Sequence, residues 1–284
     1  MLFPGTSVAG TYEIRHLIAE GGLAEIYLAC HKKWQINDGC FIAIKRLKPE
    51  HKNDIDIVAW FKEESEIIYS LRHPRIVHGF GLIEENEELF ILMEYVKGRT
   101  LFDLRARAAM CSLEMRIKIV VALGMALCEA LGHLHRQKDK DGRYRHLIHG
   151  DISLQNIMLC LDGLIKIVDF GNAMDSRSAR ARTSARVCGN ERYMPPEQKL
   201  GRMLSPRSDI YSVAVVLLKL LGPMKNIAQS PLAKELLLIL RKAAHEQAKM
   251  RHENCHSFGT ELQSLADFLN MKDGPLILKN LYQR

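Results

Sequence analysis

The feature that most constrains this chain is a change of hydrophobic period near Gly98. Before it, the β-branched and aromatic runs "EIYLAC", "CFIAIKRL" and "LFILMEYV" are separated by polar turns, the pattern of short strands. One helix interrupts them. From Ile57 to Leu71 the residues Val58, Phe61, Ile67, Ile68 and Leu71 recur at helical spacing, with most charges between them. After Gly98 the period is helical, with long apolar segments near 115–135, 209–221 and 232–244. The expectation is an α+β chain in two lobes. A small β-rich lobe with one key helix covers 1–96 and a larger, mainly helical lobe covers 97–284, with a hinge near Tyr95 to Gly98. No internal repeat or low-complexity linker divides it further.

Composition narrows the function classes. An apolar fraction of 47% with 26% charged residues is ordinary for a soluble globular protein. The uncharged apolar stretches Ile119–Cys128 and Ile210–Leu218 end at Glu129 and Lys219, well short of the ~20 residues that span a bilayer, so no membrane span is expected. The N-terminus has no basic segment followed by an apolar one, and a cytoplasmic location is expected. Seven cysteines are scattered singly, which reads as reduced thiols rather than a disulfide framework. His245, His252, Cys255 and His256 match no zinc-ligand spacing and read as ordinary surface residues. A net charge of +7 invites nucleic acid, yet no basic stripe interleaved with aromatics appears, and none is expected as a partner. The excess is local, with Arg177, Arg180, Arg182 and Arg186 close together.

Three constellations can carry chemistry. In "HGDISLQN", Asp151 and Asn156 lie five residues apart, just before two apolar runs joined by Asp162-Gly163. A two-residue turn there places Asn156 opposite Asp169 at the open end of a hairpin. A carboxylate and an amide oxygen converging near Asp151 suit a hard cation such as Mg²⁺ that also holds phosphates. On spacing alone, a hairpin with polar ends by chance is an equally open reading. In the helix, Glu64 falls on the apolar stripe, where a buried carboxylate needs a partner. Strand alternation points Lys45 to the same side as Ala43 and makes it that partner, although a surface lysine and a solvated glutamate would fit each residue alone. Finally, Gly21-Gly22 in "IAEGGLAEIYLA" is a hairpin turn whose backbone N–H groups can approach phosphates closely.

Taken together, these motifs resemble the protein kinase family, in particular bacterial serine/threonine protein kinases. The ordered set "EGGLAEIYLA", "AIK", Glu64 before "LRHPRIV", "LMEYVKG", "HGDISLQN", "VDFG", "RYMPPEQ" and "SDIYSV" follows that family's order and spacing from "TYEI" to Arg251. The resemblance implies a bilobal protein-kinase-like fold and Mg²⁺-dependent phosphoryl transfer from ATP, with Mn²⁺ as a substitute, to serine or threonine hydroxyls of proteins, the chain itself among them. It implies that Gly21 and Gly22 lie over the ATP phosphates and that Lys45 holds the α/β-phosphates while paired to Glu64. Ile26, Ala43 and Met158 would sandwich adenine, Glu94 and Val96 would offer backbone groups to it, and Met93 stands at the gatekeeper place. Asp151 would accept the proton of the attacking hydroxyl, and Asn156 and Asp169 would hold the metal. Asp209 would brace the catalytic loop, and Glu197 would pair with Arg251.

The chain departs from that pattern at several positions. Ala19 and Ala24 replace the first and third loop glycines. Gly150 replaces the arginine before Asp151, which removes the main receptor for an activation-loop phosphate and weakens Ser176, Ser178, Thr183 and Ser184 as switches. Ser153 stands where most members carry a lysine, and Asn190 where they carry a threonine. Losing one such donor is worth about 3 kcal/mol, or roughly a hundredfold in rate, which slows an enzyme rather than silencing it. A hydrogen-bonded Ser153–Asn190 pair is the expected compensation, and the lengthened "RQKDKDGRYRHL" loop accompanies this spelling in some bacterial relatives. After Leu221 the chain is shortened where the family has a helix that docks substrates. Two other classes therefore stay open: a nucleotide- or partner-binding pseudokinase scaffold, and a small-molecule kinase like the aminoglycoside phosphotransferases. The protein substrate is unspecified by the sequence, and a homodimer is compatible with it.

Overall fold

The computed structural model describes residues 1–33, 41–175, 189–223 and 230–283. The activation-segment positions Ser176, Ser178, Thr183 and Ser184, the arginines at 177, 180, 182 and 186, and Cys40 and Cys188 lie outside the described residues. The chain divides into two compact units, Met1–Val96 and Lys97–Arg284.

The first unit is a six-stranded antiparallel sheet formed by β1 (Ser7–Val8), β2 (Tyr12–Glu20), β3 (Ala24–His31), β4 (Phe41–Leu47), β5 (Gly79–Glu85) and β6 (Glu88–Glu94), in the order β1-β2-β3-β4-β6-β5. Alternating residues Ile14, Tyr27, Ile44 and Leu92 from four of these strands fill one core. Helix α1 (Ile55–Ser70) begins at Asp54, whose carboxylate accepts the Ile57 N–H at 3.0 Å. Its inward stripe is Ile57, Phe61, Glu64, Ile67 and Ile68, with a carboxylate among the apolar residues as the spacing predicts. The helix packs on β5, and Gly79 sets how closely. A Cβ there would meet Ile68 Cγ1 at 2.5 Å and the Tyr69 nitrogen at 2.9 Å.

In the second unit, β7 (Gly98–Thr100) leads into α2 (Leu101–Ala109), capped by a reciprocal Thr100–Asp103 box. The central helix α3 (Leu113–His135) is long and apolar enough to cross a membrane by length and composition, but 78% of its apolar window is buried inside the structure, as a core helix requires. Then follow β8 (Leu147–Ile148), β9 (Ile157–Cys160), β10 (Ile165–Ile167), β11 (Met174–Asp175), α4 (Pro196–Lys199), α5 (Pro206–Leu221), α6 (Pro231–Ala243), α7 (Cys255–Phe268) and α8 (Gly274–Gln283). Helices α5 and α7 pack closely on α3 at Gly124, where a Cβ would meet side-chain carbons of Leu262 at 2.6 Å and Leu217 at 3.0 Å. Strands order as β10-β9-β7 and β11-β8. Among the described residues no helix lies between α5 and α6, where the sequence is shortened.

The β9–β10 hairpin differs from its expected register by one residue. Its loop is Leu161-Asp162-Gly163 rather than Asp162-Gly163 alone: Gly163 N–H donates to Cys160 O at 3.0 Å, Cys160 N–H donates to Leu164 O at 2.8 Å, and Gly163 has φ +90°. This is a three-residue loop closing on a left-handed glycine. Asp162 Oδ1 stabilises it by accepting the Leu164 N–H at 2.9 Å. Asn156 therefore faces Val168, whose N–H donates to Asn156 O at 2.9 Å, and not Asp169. Gly79→Ala should lower unfolding stability by about 1–3 kcal/mol, because the added Cβ would meet the Ile68 side chain and, behind it, helix backbone at Tyr69 and Ile68 that has no rotamer to yield. Gly22→Ala, with nothing within 4 Å of its Cβ, is the matched control in urea titration.

Candidate active site

In the first unit, the pair inferred from alternation and helical phase is formed. Lys45 Nζ donates to Glu64 Oε1 at 2.7 Å and Oε2 at 2.9 Å, and the side chains are only 11% and 5% exposed. Both are held by regular elements, β4 and α1, so the ammonium has little freedom. The Gly21-Gly22 turn joins β2 to β3, with the Gly21 N–H on Ala24 O at 2.9 Å and Ala19 paired with Ile26. His51 Nε2 lies 3.2 Å from Gly22 O, a tether across 29 residues that no local pattern announces. On the sheet, Ile26 pairs with Lys45 and Ala43 with Met93, and Ala43, Met93 and Val96 are buried. Glu94 N–H donates to His78 O at 2.8 Å, so Glu94 can offer a ligand at most its carbonyl.

In the second unit the organising group is Asp209, 1% exposed in the first turn of α5. Its Oδ2 accepts the His149 N–H at 2.9 Å and lies 2.8 Å from His135 Nε2, and its Oδ1 accepts the Gly150 N–H at 3.0 Å. Burial alone would raise its pKa, but these donors and the His135 charge hold it below the usual carboxylate range. His135 is pushed up to about 10: burial opposes its charge, but Cys255 on one side and Asp209 on the other outweigh it. Gly150 has φ +73°, a conformation that a side chain adopts only with strain.

Asp151 follows that fixed backbone. Its Oδ1 accepts the Asn190 N–H at 2.9 Å and its Oδ2 accepts Asn156 Nδ2 at 2.9 Å; the same Asn156 nitrogen also donates to Asp151 O at 2.9 Å. Burial raises its pKa and the nearby Asp169 charge adds to this, while Asn190, His149 and Asn156 pull against it. The carboxylate is thereby aimed and made a better proton acceptor. With its nitrogen committed to Asp151, Asn156 has its amide oxygen to offer a cation. Asp169 adopts φ +61° and accepts the Gly171 N–H at 3.3 Å. An oxygen-only donor set of an amide and carboxylates fits a hard divalent cation. Met158 sits on β9, paired with Lys166 and Thr100.

The expected Ser153–Asn190 pair gives way to another arrangement. Asn190 sends its side-chain nitrogen to Gln155 Oε1 at 3.5 Å and its backbone N–H to Asp151, while Ser153 is buried at 1% exposure. The reason is the chain direction at Gly189, where a Cβ would lie 2.8 Å from Asp151 Oδ1. Only glycine lets the following N–H reach the base. Sequence reasoning passed over Gly189, and also the packing of His149 on Phe170, 4.7 Å between ring centroids. Glu197 and Arg251 do pair, at 2.7 and 2.8 Å, and the Arg251 side chain is fully buried with further bonds to the carbonyls of His245, Arg207 and Glu246. The histidine–cysteine cluster is dispersed, and of its four residues expected at the surface only His245 and His256 are there: His252, buried at 2% exposure, bonds Glu261, and buried Cys255 faces His135, because both pack into the helical core.

Two tests follow from this geometry. Lys45→Met should cost about 3–5 kcal/mol in urea unfolding by leaving the buried Glu64 without its ammonium, and the Lys45→Met/Glu64→Met double variant should recover most of that. Equal loss in both would refute the buried-pair account. His135 binds its proton more tightly folded than unfolded, so its contribution to stability is complete below pH 6.5 and is lost as pH rises through about 10. Unfolding free energy should therefore fall across that window in the wild type and fall less in His135→Gln.

Comparison with known proteins places these features. A family model described as protein kinase domain matches residues 12–273. A probable serine/threonine-protein kinase of Clostridium perfringens is 31% identical over 240 residues, covering 84% of this chain and 33% of that protein. PrkC, a serine/threonine-protein kinase of Bacillus subtilis, is 32% identical over 217 residues, covering 76% of this chain and 31% of that protein. The chain thus spans about a third of the length of these relatives. In fold it is similar to the crystal structure of the Mycobacterium tuberculosis PknI kinase domain, with a TM-score of 0.70, 24% identity, and coverage of 94% of this chain and all of that one. With the Lys45–Glu64 pair, the Asp209-braced loop and the Glu197–Arg251 pair in place, the match over 12–273 shows that this chain belongs to the protein kinase family, with bacterial serine/threonine kinases among its relatives.

Proposed function

We propose that the protein transfers the γ-phosphoryl group of ATP to serine or threonine hydroxyls of protein substrates, its own hydroxyls included, with Mg²⁺ as the divalent ion and Mn²⁺ as a substitute. The observation that carries this is the preparation of Asp151 as a base: two donors fix its carboxylate while burial raises its proton affinity. A scaffold that only binds nucleotide has no use for such a group.

Each unit supplies a separate part of the chemistry. In the first, Lys45 is held by Glu64 as a fixed positive charge for phosphate oxygens, and the Gly21-Gly22 turn presents backbone without side chains. In the second, Asp151 orients the attacking hydroxyl and takes its proton, and Asn156 and Asp169 are the ligands for the divalent ion, which when bound neutralises phosphate charge. Ser153 adds no charge to this set, and Lys45 is the cation held in it. Cys30, Cys128 and Cys255 are buried thiols outside any disulfide, which supports assignment to the reducing cytoplasm.

The test is transfer from labelled ATP with Mg²⁺, with and without cell extract as acceptor. Wild type should label protein hydroxyls, and Asp151→Asn should lose about 10²–10⁴-fold in rate, the usual worth of a general base. Lys45→Met should lose transfer as well. Label on a small molecule alone, or none above the Asp151→Asn background, would reject protein phosphorylation.

A further inference from the structure

The peptide group that precedes the base is held from a place the catalytic motif does not include. Gln198, buried at 9% exposure in α4, donates its side-chain N–H to the Gly150 carbonyl at 2.9 Å. That carbonyl and the Asp151 N–H belong to one planar peptide, and the Asp151 N–H lies 3.2 Å from His149 Nδ1. The Gly150 N–H is fixed by Asp209. The Gly150 N–H, the Gly150 carbonyl and the Asp151 N–H therefore each have a partner. This matters because Gly150 has no Cβ to restrict it and sits at φ +73°. A rotation of its ψ would swing the peptide plane and carry the Asp151 carboxylate off the Asn190 and Asn156 donors.

We infer that Gln198 is a positioning residue for the base Asp151, acting through the Gly150 carbonyl and restraining a backbone that glycine leaves free to rotate. The inference rests on the proposed protein kinase activity and adds a link within it. The short helix α4 also carries Glu197, locked to the buried Arg251, so the donor stands on an anchored support. The base is thereby tied at two points to the segment 189–199: by the Asn190 N–H on its carboxylate and by Gln198 on the peptide before it.

The experiment compares the full chain with Gln198→Met, which keeps length and loses the donor, and Gln198→Glu, which donates only when protonated. Transfer from ATP is measured at saturating protein acceptor from pH 6 to 9, with melting temperature and the KM for ATP recorded for each. Gln198→Met should lose about 10- to 100-fold in kcat, the size of loss that follows from sub-ångström misplacement of a reacting group. Its KM for ATP should stay within about twofold, because no nucleotide group is touched. Gln198→Glu should exceed Gln198→Met toward pH 6, where burial keeps part of its carboxyl protonated and able to donate to the carbonyl, and should fall to or below Gln198→Met toward pH 9, where the ionised carboxylate repels that carbonyl. A kcat for Gln198→Met within twofold of an active wild type would overturn the inference and leave the kinase reading intact. A loss that tracks melting temperature and KM together, with both variants equal at every pH, would reduce Gln198 to a packing role and also overturn it. A wild type with no transfer would overturn both readings.

Discussion

A carboxylate buried at 1% exposure costs several kcal/mol unless it is fully bonded, and Asp209 meets that demand with the backbone N–H groups of His149 and Gly150 and with His135. The rest of the catalytic loop depends on this choice of partners. Because the donors are main-chain groups, satisfying the carboxylate fixes the backbone that carries Asp151. The same helix α5 places Ser208 on Glu197 at 2.8 Å, so one helical turn supports both the loop and the Glu197–Arg251 pair.

The first unit solves a related problem differently. Glu64 lies among apolar residues on α1 and is matched by an ammonium from β4, giving a rigid charge rather than a rigid loop. Gly79 lets α1 lie close on β5, and so fixes the helix from which Glu64 reaches inward. In both units the buried carboxylate is carried by a packed helix and meets donors on another element, and in both the result is a group with few alternative positions.

Much of this was legible in the chain. The helical phase of 57–71 placed Glu64 inward, strand alternation placed Lys45 toward it, and the apolar period found α3, α5 and α6 of the second unit within a few residues of their ends while passing over α2, α7 and α8. The hairpin was legible in kind but not in register. A left-handed Gly163 closes a three-residue loop, a decision made by backbone dihedrals and by the approach of Pro275 and Lys279 to that glycine. The Ser153–Asn190 pair failed for a similar reason: adjacency in a motif does not say which of two groups on Asn190 faces inward, and Gly189 turned the backbone N–H toward the base.

The sequence by itself determined the order of strands and helices and the residue types at the chemical positions, because these follow from periodicity over a few residues and from motifs in register. Only the tertiary structure decided what holds the base. The resemblance named Asp209 for the loop, but Asn190 lies 39 residues from Asp151 and Gln198 lies 48 from Gly150, separations at which no local pattern reports a partner. A buried polar group must be bonded, but the chain does not say by whom until folding brings the candidates together.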